Sequence, residues 1–376
     1  MRDEDDSDAG TRRRGDAAID SERLLSPRRS PSRSEFDFID RIRRRALKHS
    51  SLIPHPSSLS LGIGDDAAVL RQQSGRETVV TADLLIEEID FRLGTTPPRL
   101  LGHKALAVSL SDVAAMGARP RHALLSIGVP REIWRTDFVD EFYEGFFALA
   151  ETYGVALAGG DVSRSPERIV IDCVVLGDVA RGHAVTRSGA RPGDHIFVTG
   201  SLGGAAAGLR LLGRDARSRR RPRALENPAV EDSLLRQLRP EPRVPWGALL
   251  GEEHLATAMI DVSDGLSSDL AHLARASGAG AIIEAARVPI DPAVISLCGR
   301  RALDPLLLAL HGGEDFELLF TTRPRDLARL PRALGGVPLT YVGDVTDEAG
   351  RVLISEGSRV WRLDPQGFTH FGSGPV

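Results

Sequence analysis

The sequence has few cysteines, few aromatic residues and no long apolar segment: two cysteines and 5% Phe, Tyr and Trp occur among 376 residues. Cys173 and Cys298 lie in apolar stretches without the spacing of metal ligands, so we expect buried thiols in a reducing compartment and not a disulfide framework. No run approaches the roughly 18–20 apolar residues of a membrane span. The N-terminus also lacks an apolar signal core. We therefore expect a cytoplasmic protein that does not bind membranes.

Several motifs of nucleotide-binding and hydrolytic enzymes are absent too. The chain has no Gly-x-x-x-x-Gly-Lys-Ser/Thr loop, which excludes a Walker-type nucleotide site. Neither the protein-kinase motif set nor a Gly-x-Ser-x-Gly elbow with a suitable histidine occurs. The formal net charge of −4 argues against a general nucleic-acid binder.

Instead, the chain carries aspartates in short glycine-rich or apolar settings. In Gly62–Val69, Asp65 and Asp66 follow two closely spaced glycines. Two neighbouring carboxylates repel by about 4 kcal/mol at ~4 Å and an effective dielectric of ~20, so a fold that gathers several of them usually needs a cation. A solvated turn before a strand is the alternative. Further aspartates sit beside small or apolar residues at expected element ends: Asp83, Asp112, Asp161, Asp261 and Asp264.

These carboxylates, with few histidines beside them, indicate a Mg²⁺ site. Mg²⁺ prefers carboxylate, water and phosphate oxygens as ligands. Several such ions beside many carboxylates are typical of enzymes that handle a polyphosphate, because the metals neutralise it.

One of the aspartates is expected on a buried helix face. Pro97 and Pro98 open a helix from Arg99 to about Met116, and Asp112 lies one turn after Val108 on its apolar stripe. A carboxylate there is costly unless it has a partner. A pair with Lys104 or a contact with the helix end is the structural alternative to a metal ligand.

The length and the turn-rich segments predict an α/β chain of two folded domains. Residues 1–34 are charged and rich in Arg, Asp and Ser, which predicts a disordered tail. We expect an N-terminal domain over residues 35–180 and a C-terminal domain over 181–376, with an arginine-rich insertion near 214–228. Short strands and helices are expected in both, including a strand over Thr78–Leu85, a strand over 155–158 before Gly159-Gly160-Asp161, and a strand–loop–helix unit from Met259 to Ser277.

A second glycine-rich turn has two interpretations. Gly200–Gly204 follows a predicted strand and precedes a helix, and free amides at such a turn can hold a phosphate. We favour tight packing over phosphate binding. Further along, Glu314 and Asp315 form another carboxylate pair ahead of a strand.

Taken in order, these motifs resemble the thiamine-monophosphate kinase family of the aminoimidazole-ribonucleotide synthetase superfamily. The resemblance covers roughly Glu35 to Phe371 and rests on the following segments: Gly62–Val69, Thr81–Asp83, Lys104–Met116, Gly159–Asp161, Thr186–Asp194, Asp261–Leu270 and Gly312–Leu318. It implies an aminoimidazole-ribonucleotide synthetase-like fold and a homodimer whose N-terminal sheets join as a barrel. It also implies ATP-dependent phosphorylation of thiamine monophosphate to thiamine diphosphate by direct in-line transfer.

The resemblance also implies roles for individual residues. Metal-binding positions are Asp66, Thr81, Ala82, Asp83, Asp112, Asp161, Asp261 and Asp264, with Asp66, Asp112 and Asp261 as the main catalytic carboxylates. Positions that contact ATP are Tyr143, Gly160, Asp161, Arg187 and Ser263. Positions that contact thiamine monophosphate are Asp90, Glu314 and Phe368.

Two of these positions depart from the family pattern. Ala82 stands where the family usually has threonine or serine, so water or backbone must replace that hydroxyl if the family uses it. Asp90 stands where a histidine usually precedes Phe91. Its charge would favour the cationic thiazolium ring of the substrate, or it would pair with Arg92, or it is a solvated loop carboxylate.

Two other functions compete with this interpretation. An aminoimidazole-ribonucleotide synthetase-like ATP-dependent ligase would share the acidic ATP site. A protein of another class, binding a nucleotide or RNA through its arginine-rich segments, is disfavoured because the scattered carboxylates would repel a nucleic-acid backbone.

The composition of the N-terminal segment leads to a first prediction. Deletion of residues 1–34 should leave activity and the thermal midpoint nearly unchanged, because this segment lacks the apolar residues needed to join a core. Activity assays and thermal melts of the full-length and shortened chains make the comparison. A large loss of soluble dimer on truncation would contradict this.

Overall fold

The computed structural model describes residues 59–61, 68–71, 75–215, 228–299 and 303–368. The predicted tail, Asp65 and Asp66, and most of the arginine-rich insertion lie outside these described residues. In the part of the chain that is described, no helix is both long and apolar enough to cross a membrane.

A six-stranded mixed sheet forms the N-terminal half. Its strand order is β1-β2-β3-β6-β4-β5, in which β4 and β5 are parallel and the other neighbours are antiparallel. The strands are β1 (Leu59–Leu61), β2 (Ala68–Arg71), β3 (Arg76–Ile86), β4 (Arg119–Val129), β5 (Ala156–Arg164) and β6 (Val170–Ala180).

Three helices accompany this sheet: α1 (Pro98–Ala115), α2 (Arg131–Trp134) and α3 (Phe138–Tyr153). In α1, 14 of 18 residues are buried, because the helix packs against its own sheet, against α3 and against elements of the C-terminal half. A helix without a polar face is expected where both sides are covered by protein. The sequence predicted burial of one apolar face of this helix, whereas the structure buries the helix on nearly all sides. Helix α3 ends before Gly154, which has the left-handed φ of 65° typical of a helix C-terminus.

The C-terminal half contains an eight-stranded sheet in the order β14-β13-β9-β12-β7-β10-β8, with β11 paired to β12. Only β13 and β9 are parallel among these described pairs. The strands are β7 (His195–Thr199), β8 (Ala258–Asp261), β9 (Gly280–Glu284), β10 (Leu318–Thr322), β11 (Ala333–Leu334), β12 (Val337–Thr346), β13 (Val352–Glu356) and β14 (Arg359–Arg362).

Helices of the C-terminal half follow the strands or connect them. They are α4 (Gly204–Asp215), α5 (Pro228–Leu238), α6 (Val244–Glu252), α7 (Leu266–Ser277), α8 (Pro292–Cys298) and α9 (Pro305–His311), with 3-10 turns at Ala285–Arg287 and Pro324–Arg329. The β8–loop–α7 order confirms the predicted strand–loop–helix unit. The predicted domain boundary at residue 181 falls in the connector between β6 and β7. The boundary itself stays a prediction.

The largest apolar core is shared between the two halves. Residues of the N-terminal sheet and α1 form one cluster with Trp246, Met259, Leu318 and Phe320 of the C-terminal half. A second cluster lies within the C-terminal half, around α7 and the sheet. The shared core holds α1 against both sheets, and this positions the polar side chains of α1 between them.

Two aspartates do not lie where element ends were expected. Asp83 is in the interior of β3, and Asp161 is in the interior of β5. The glycines before Asp161 suggested the end of a strand, but Gly160 continues β5 at a φ of 147°. A Cβ at Gly160 would lie 1.8 Å from the carbonyl oxygen of Leu125, so close pairing with β4 requires glycine there.

Candidate functional site

Three polar side chains in the second half of α1 contact residues of both sheets. Ser109 Oγ donates to Asp83 Oδ2 at 2.6 Å, and Asp112 Oδ2 accepts from Thr81 Oγ1 at 2.5 Å. On the other side, Ser111 Oγ donates to Asp261 Oδ2 at 2.6 Å, 150 residues along the chain. These contacts bring four predicted site residues, Thr81, Asp83, Asp112 and Asp261, around one helix.

Ala82 lies on the opposite face of β3 from this group, because side chains alternate between the two faces of a strand. Thr81 is buried and Asp83 half-buried on the face toward α1, whereas Ala82 is exposed between them. Neighbouring side chains of a strand point to opposite faces, so the methyl group of Ala82 points away from Thr81 and Asp83. Only the backbone of Ala82 is left to contribute on the α1 side.

Glu314 joins the same helix from the C-terminal half. Lys104 Nζ of α1 lies 2.6 Å from Glu314 Oε1, and the amide nitrogen of Gln237 donates to Glu314 Oε2. The sequence suggested Asp112 as a partner for Lys104, and did not indicate this ion pair between residues 210 positions apart.

Backbone hydrogen bonds bring the remaining C-terminal site residues together. The Glu314 amide donates to the carbonyl oxygen of Ser263 at 2.8 Å. The Phe368 amide donates to the carbonyl oxygen of Asp264 at 3.2 Å, and a Cβ on Gly367 would lie 2.2 Å from that same oxygen. Ser263, Asp264, Glu314 and Phe368 therefore border one region beside the end of β8.

Asp269 is a buried carboxylate that the sequence analysis did not single out. Its Oδ2 accepts from the amides of Asp264 and Gly265, which secures the loop at the start of α7. Burial raises the pKa of Asp269 well above its usual range, and the negative charges of Asp264 and Asp261 raise it further. Asp269 therefore lies close enough to Asp261 and Asp264 to experience the charge of both carboxylates.

Arg187, in the connector before β7, lies over α7. Its carbonyl oxygen accepts from Ser277 Oγ at 3.2 Å. Its positive charge lowers the pKa of Asp269 against the larger effect of burial. It also acts on His272, whose pKa is lowered to about 4 first by burial and then by Arg187 and Arg275. The guanidinium thus supplies positive charge on the side of α7 that carries Asp269.

The Gly200–Gly204 turn is filled by the protein's own carboxylates. Asp315 accepts from the amides of Gly203 and Ala205 at 2.6 and 3.1 Å, and these are the amides that a phosphate would use. A Cβ at Gly200 would lie 2.0 Å from Glu317 Oε1. Burial raises the pKa of Asp315 to about 7, opposed by these amide hydrogen bonds. The turn is therefore a packing element, as the sequence analysis favoured.

Two predicted ATP-contact residues, Gly160 and Asp161, lie away from the α1 cluster within one chain. Gly160 and Asp161 are on edge strand β5, and β6 and β4 separate β5 from β3. Three strand spacings correspond to about 14 Å at ~4.8 Å each. Tyr143 lies in α3 in an aromatic cluster with Phe142, Phe146 and Phe147.

Asp90 has a local structural role. Its Oδ2 accepts from the amide of Ile86 at 2.7 Å, and the Asp90 amide donates to the Ile86 carbonyl oxygen at 2.9 Å. Arg92, which the sequence suggested as a partner, forms an ion pair with Glu88 at 3.3 Å. Asp90 thus closes the turn after β3, and its half-buried position leaves part of the side chain accessible.

The chemistry of the cluster suits cations and phosphate groups, not proton transfer by histidine. Its side chains are carboxylates and hydroxyls, which are the ligands that Mg²⁺ accepts. No three Asp, Glu, His or Cys side chains of the described segments already form a metal centre. Mg²⁺ needs no such centre, because it usually binds one or two carboxylates together with waters and substrate phosphates.

Comparisons with known proteins give a consistent result. The family model described as AIR synthase related protein, N-terminal domain, matches residues 64–179, and the corresponding C-terminal domain model matches residues 191–355. Thiamine-monophosphate kinase of Bacillus subtilis (strain 168) is 35% identical over 342 residues, which cover 90% of this chain and 99% of that protein. The enzyme of the same name from Escherichia coli (strain K12) is 38% identical over 344 residues, covering 89% and 96%. A solved structure described as AaThiL complexed with AMPPCP and TMP is 32% identical, with a TM-score of 0.75, and covers 90% of this chain and 97% of its own.

The buried ion pair behind the Gly200–Gly204 turn generates a stability prediction. Arg243 contacts both oxygens of the fully buried Glu317 at 2.5 and 2.6 Å. Arg243→Met should lower the free energy of unfolding by up to about 3–5 kcal/mol, because the buried charge of Glu317 then keeps only the longer contact with Arg236 at 3.3 Å. Denaturant unfolding measures the change. Arg287→Met, which removes an exposed pair with Glu284, is the control and should leave the free energy of unfolding nearly unchanged. Equal losses in the two variants would contradict this role of Glu317.

Proposed function

The chain belongs to the thiamine-monophosphate kinase family of AIR synthase related proteins, and from this membership we propose how its residues carry out the family's reaction. It is a kinase that transfers the γ-phosphoryl group of ATP to the phosphate of thiamine monophosphate. The relatives favour this reaction over the ligase alternative. Both curated relatives compared above are named thiamine-monophosphate kinase, and the similarity covers most of their length. Within the chain, the observation that supports the assignment most strongly is the group of carboxylates and hydroxyls around α1.

The reaction needs positioning and charge neutralisation more than a strong base. The acceptor is a phosphate oxygen that is already ionised near neutral pH. It forms a bond to the γ-phosphorus while the bond from that phosphorus to the bridging oxygen breaks, and ADP leaves with the electron pair. Two polyanions must approach each other, so we expect catalysis to come from fixed positive charge and alignment. Arg187 would supply a forked donor to phosphate oxygens.

We propose Mg²⁺ as the cation of this site. Asp83, Asp112 and Asp261 would hold it, with Thr81 and Asp264 beside them and Asp66 from outside the described residues. The donor set fits, because these are oxygen ligands and the charges of Asp261 and Asp264 already raise the pKa of neighbouring Asp269. When bound, Mg²⁺ would neutralise the phosphates during transfer.

Substrate contacts are assigned to the region beside β8. Glu314 and Phe368 would contact thiamine monophosphate, because backbone hydrogen bonds hold both beside Ser263 and Asp264. Ser263 and Arg187 would contact ATP, together with Tyr143, Gly160 and Asp161. Asp161 is also assigned to metal and ATP, but within one chain its edge strand β5 is separated from β3 by two strands.

A homodimer would account for that position. The outer face of the N-terminal sheet exposes Leu84 and Leu124, and β5 is an edge strand among the described strands. Exposed apolar residues on a sheet with a free edge are typical of an association surface. A second N-terminal sheet packed there, as in the barrel implied by the resemblance, would cover these residues and place Asp161 at a subunit interface.

The catalytic carboxylates give the main functional prediction. Asp66→Asn and Asp261→Asn should each lower kcat by about 100- to 1,000-fold, because loss of one ligand charge lets the polyphosphate repel the remaining carboxylates. Thiamine diphosphate formation from ATP, Mg²⁺ and thiamine monophosphate is the measurement, and circular dichroism checks the fold.

Controls for this assay come from the surface and from the alternative reaction. Asp347→Asn changes an exposed carboxylate and should leave turnover unchanged. Near-parental activity of both site variants at limiting Mg²⁺ would refute the assignment. Turnover of formylglycinamidine ribonucleotide in place of thiamine monophosphate would favour the ligase.

Asp90 gives a separate prediction about substrate recognition. Asp90→Asn keeps an oxygen that can accept from the Ile86 amide, so the turn should persist while the negative charge is lost. If that charge faces the thiazolium ring, the KM for thiamine monophosphate should rise about 5- to 150-fold, with little change for ATP. Steady-state kinetics with each substrate varied in turn decide the matter. Constants that both stay within about twofold of the parent would leave Asp90 with its turn-closing role alone.

A further inference from the structure

Lys104 is a buried cation that the proposed reaction does not yet use. It lies in the middle of α1, and only 2% of its side chain is exposed. An ammonium group in such a position is costly unless it is paired and hydrogen-bonded. Its charge is compensated by Glu314 Oε1 at 2.6 Å, across the boundary between the two halves of the molecule.

Gln237 completes this contact from a third element. Its side-chain amide nitrogen donates to Glu314 Oε2, so each oxygen of the Glu314 carboxylate has its own donor. Its backbone carbonyl oxygen lies 3.4 Å from Lys104 Nζ. Gln237 is itself buried, at 4% exposure in α5. Lys104, Glu314 and both the backbone and the side chain of Gln237 therefore form one network between α1, α5 and the loop after α9.

The backbone of Glu314 is constrained as strongly as its side chain. Glu314 has a φ of 64°, which is uncommon for a residue with a side chain, and its amide is bonded to the carbonyl oxygen of Ser263. Strained backbone that the surroundings over-determine is typical of functional sites. About a third of the Glu314 side chain remains exposed, so the carboxylate is held in place but still accessible to a ligand.

We propose that Lys104 is a positioning residue that acts through Glu314 and thereby determines the affinity for the phosphate-acceptor substrate. This inference rests on the proposed function, in which Glu314 contacts thiamine monophosphate. Lys104 and Gln237 hold the carboxylate in one orientation before the substrate arrives, which lowers the entropic cost of binding. Lys104 pairs with Glu314, which is assigned to thiamine monophosphate, and not with Arg187, which is assigned to ATP. ATP binding should therefore depend on Lys104 much less.

The test compares Lys104→Met, Glu314→Gln and the double variant by steady-state kinetics. Lys104→Met should raise the KM for thiamine monophosphate about tenfold or more and change that for ATP less than about twofold. Glu314→Gln should show the same split. In the double variant the two effects should not multiply, because both substitutions remove one interaction. Lys104→Arg, which keeps the charge, should lie closer to the parent than Lys104→Met does.

The double variant also protects the test against misfolding. It leaves no uncompensated buried charge, so it should fold even if Lys104→Met alone does not. Glu314→Gln keeps an amide oxygen that can accept from Lys104 Nζ, so it should fold as well, and the KM values of these two variants are then compared directly. Equal values support the proposal. A further rise in the double variant means that Lys104 acts independently of Glu314 and overturns it.

A matched control distinguishes the proposed positioning of Glu314 by Lys104 from a role of Lys104 in merely holding the N- and C-terminal halves together. Arg119 pairs with Glu252 through two hydrogen bonds at 2.5 and 2.9 Å, and this pair also joins the halves, but on the surface. Arg119→Met should leave both KM values unchanged. A lower melting temperature for Lys104→Met with an unchanged KM would overturn the proposed role of Lys104 while the parent remains an active kinase. A parent protein that forms no thiamine diphosphate would instead overturn the proposed function itself.

Discussion

The near-complete burial of helix α1 is the constraint on which the rest of the structure depends. The helix has sheet on one side and elements of the C-terminal half on the other, so a polar side chain within it must find a partner in one of the two. Ser109, Ser111 and Lys104 do so, and their partners are Asp83, Asp261 and Glu314. One helix thus fixes the relative positions of carboxylates that belong to different halves of the chain.

This arrangement explains why the site uses hydroxyls between its carboxylates. A serine hydroxyl is small, carries no charge and adapts its proton to the acceptor, so it secures an aspartate without neutralising it. Ser109 and Ser111 orient Asp83 and Asp261 through hydrogen bonds that bring no compensating positive charge. A lysine or arginine at position 109 or 111 would instead have placed a positive charge against these carboxylates. Two positively charged residues of the region pair with glutamates, Lys104 with Glu314 and Arg243 with Glu317.

Local patterns predicted the elements well, and long-range partners poorly. The proline pair and the expected end near Met116 located helix α1 to within one residue at each end, because proline acts through its own backbone. Asp161 was misplaced, since a glycine pair suggests a turn while here it permits close strand pairing. The residues chosen by family resemblance include Thr81, Asp83, Asp112 and Asp261, which the structure gathers. The pairing of Lys104 with Glu314 and the role of Ser111 depend on packing between distant segments, which no local pattern encodes.

Cys173 lies directly beneath this site, and its position bears on the chemical durability of the protein. Its carbonyl oxygen accepts from Ser109, and its thiol is buried in β6 with a pKa raised to about 12 by burial. Oxidants and alkylating agents attack the thiolate, which is almost absent at such a pKa. Together with the buried Cys298, this means that the described part of the fold offers no reactive sulfur while it stays closed. Modification of Cys173 would therefore report the moments when α1 separates from the sheet, and so would measure how often the site itself comes apart.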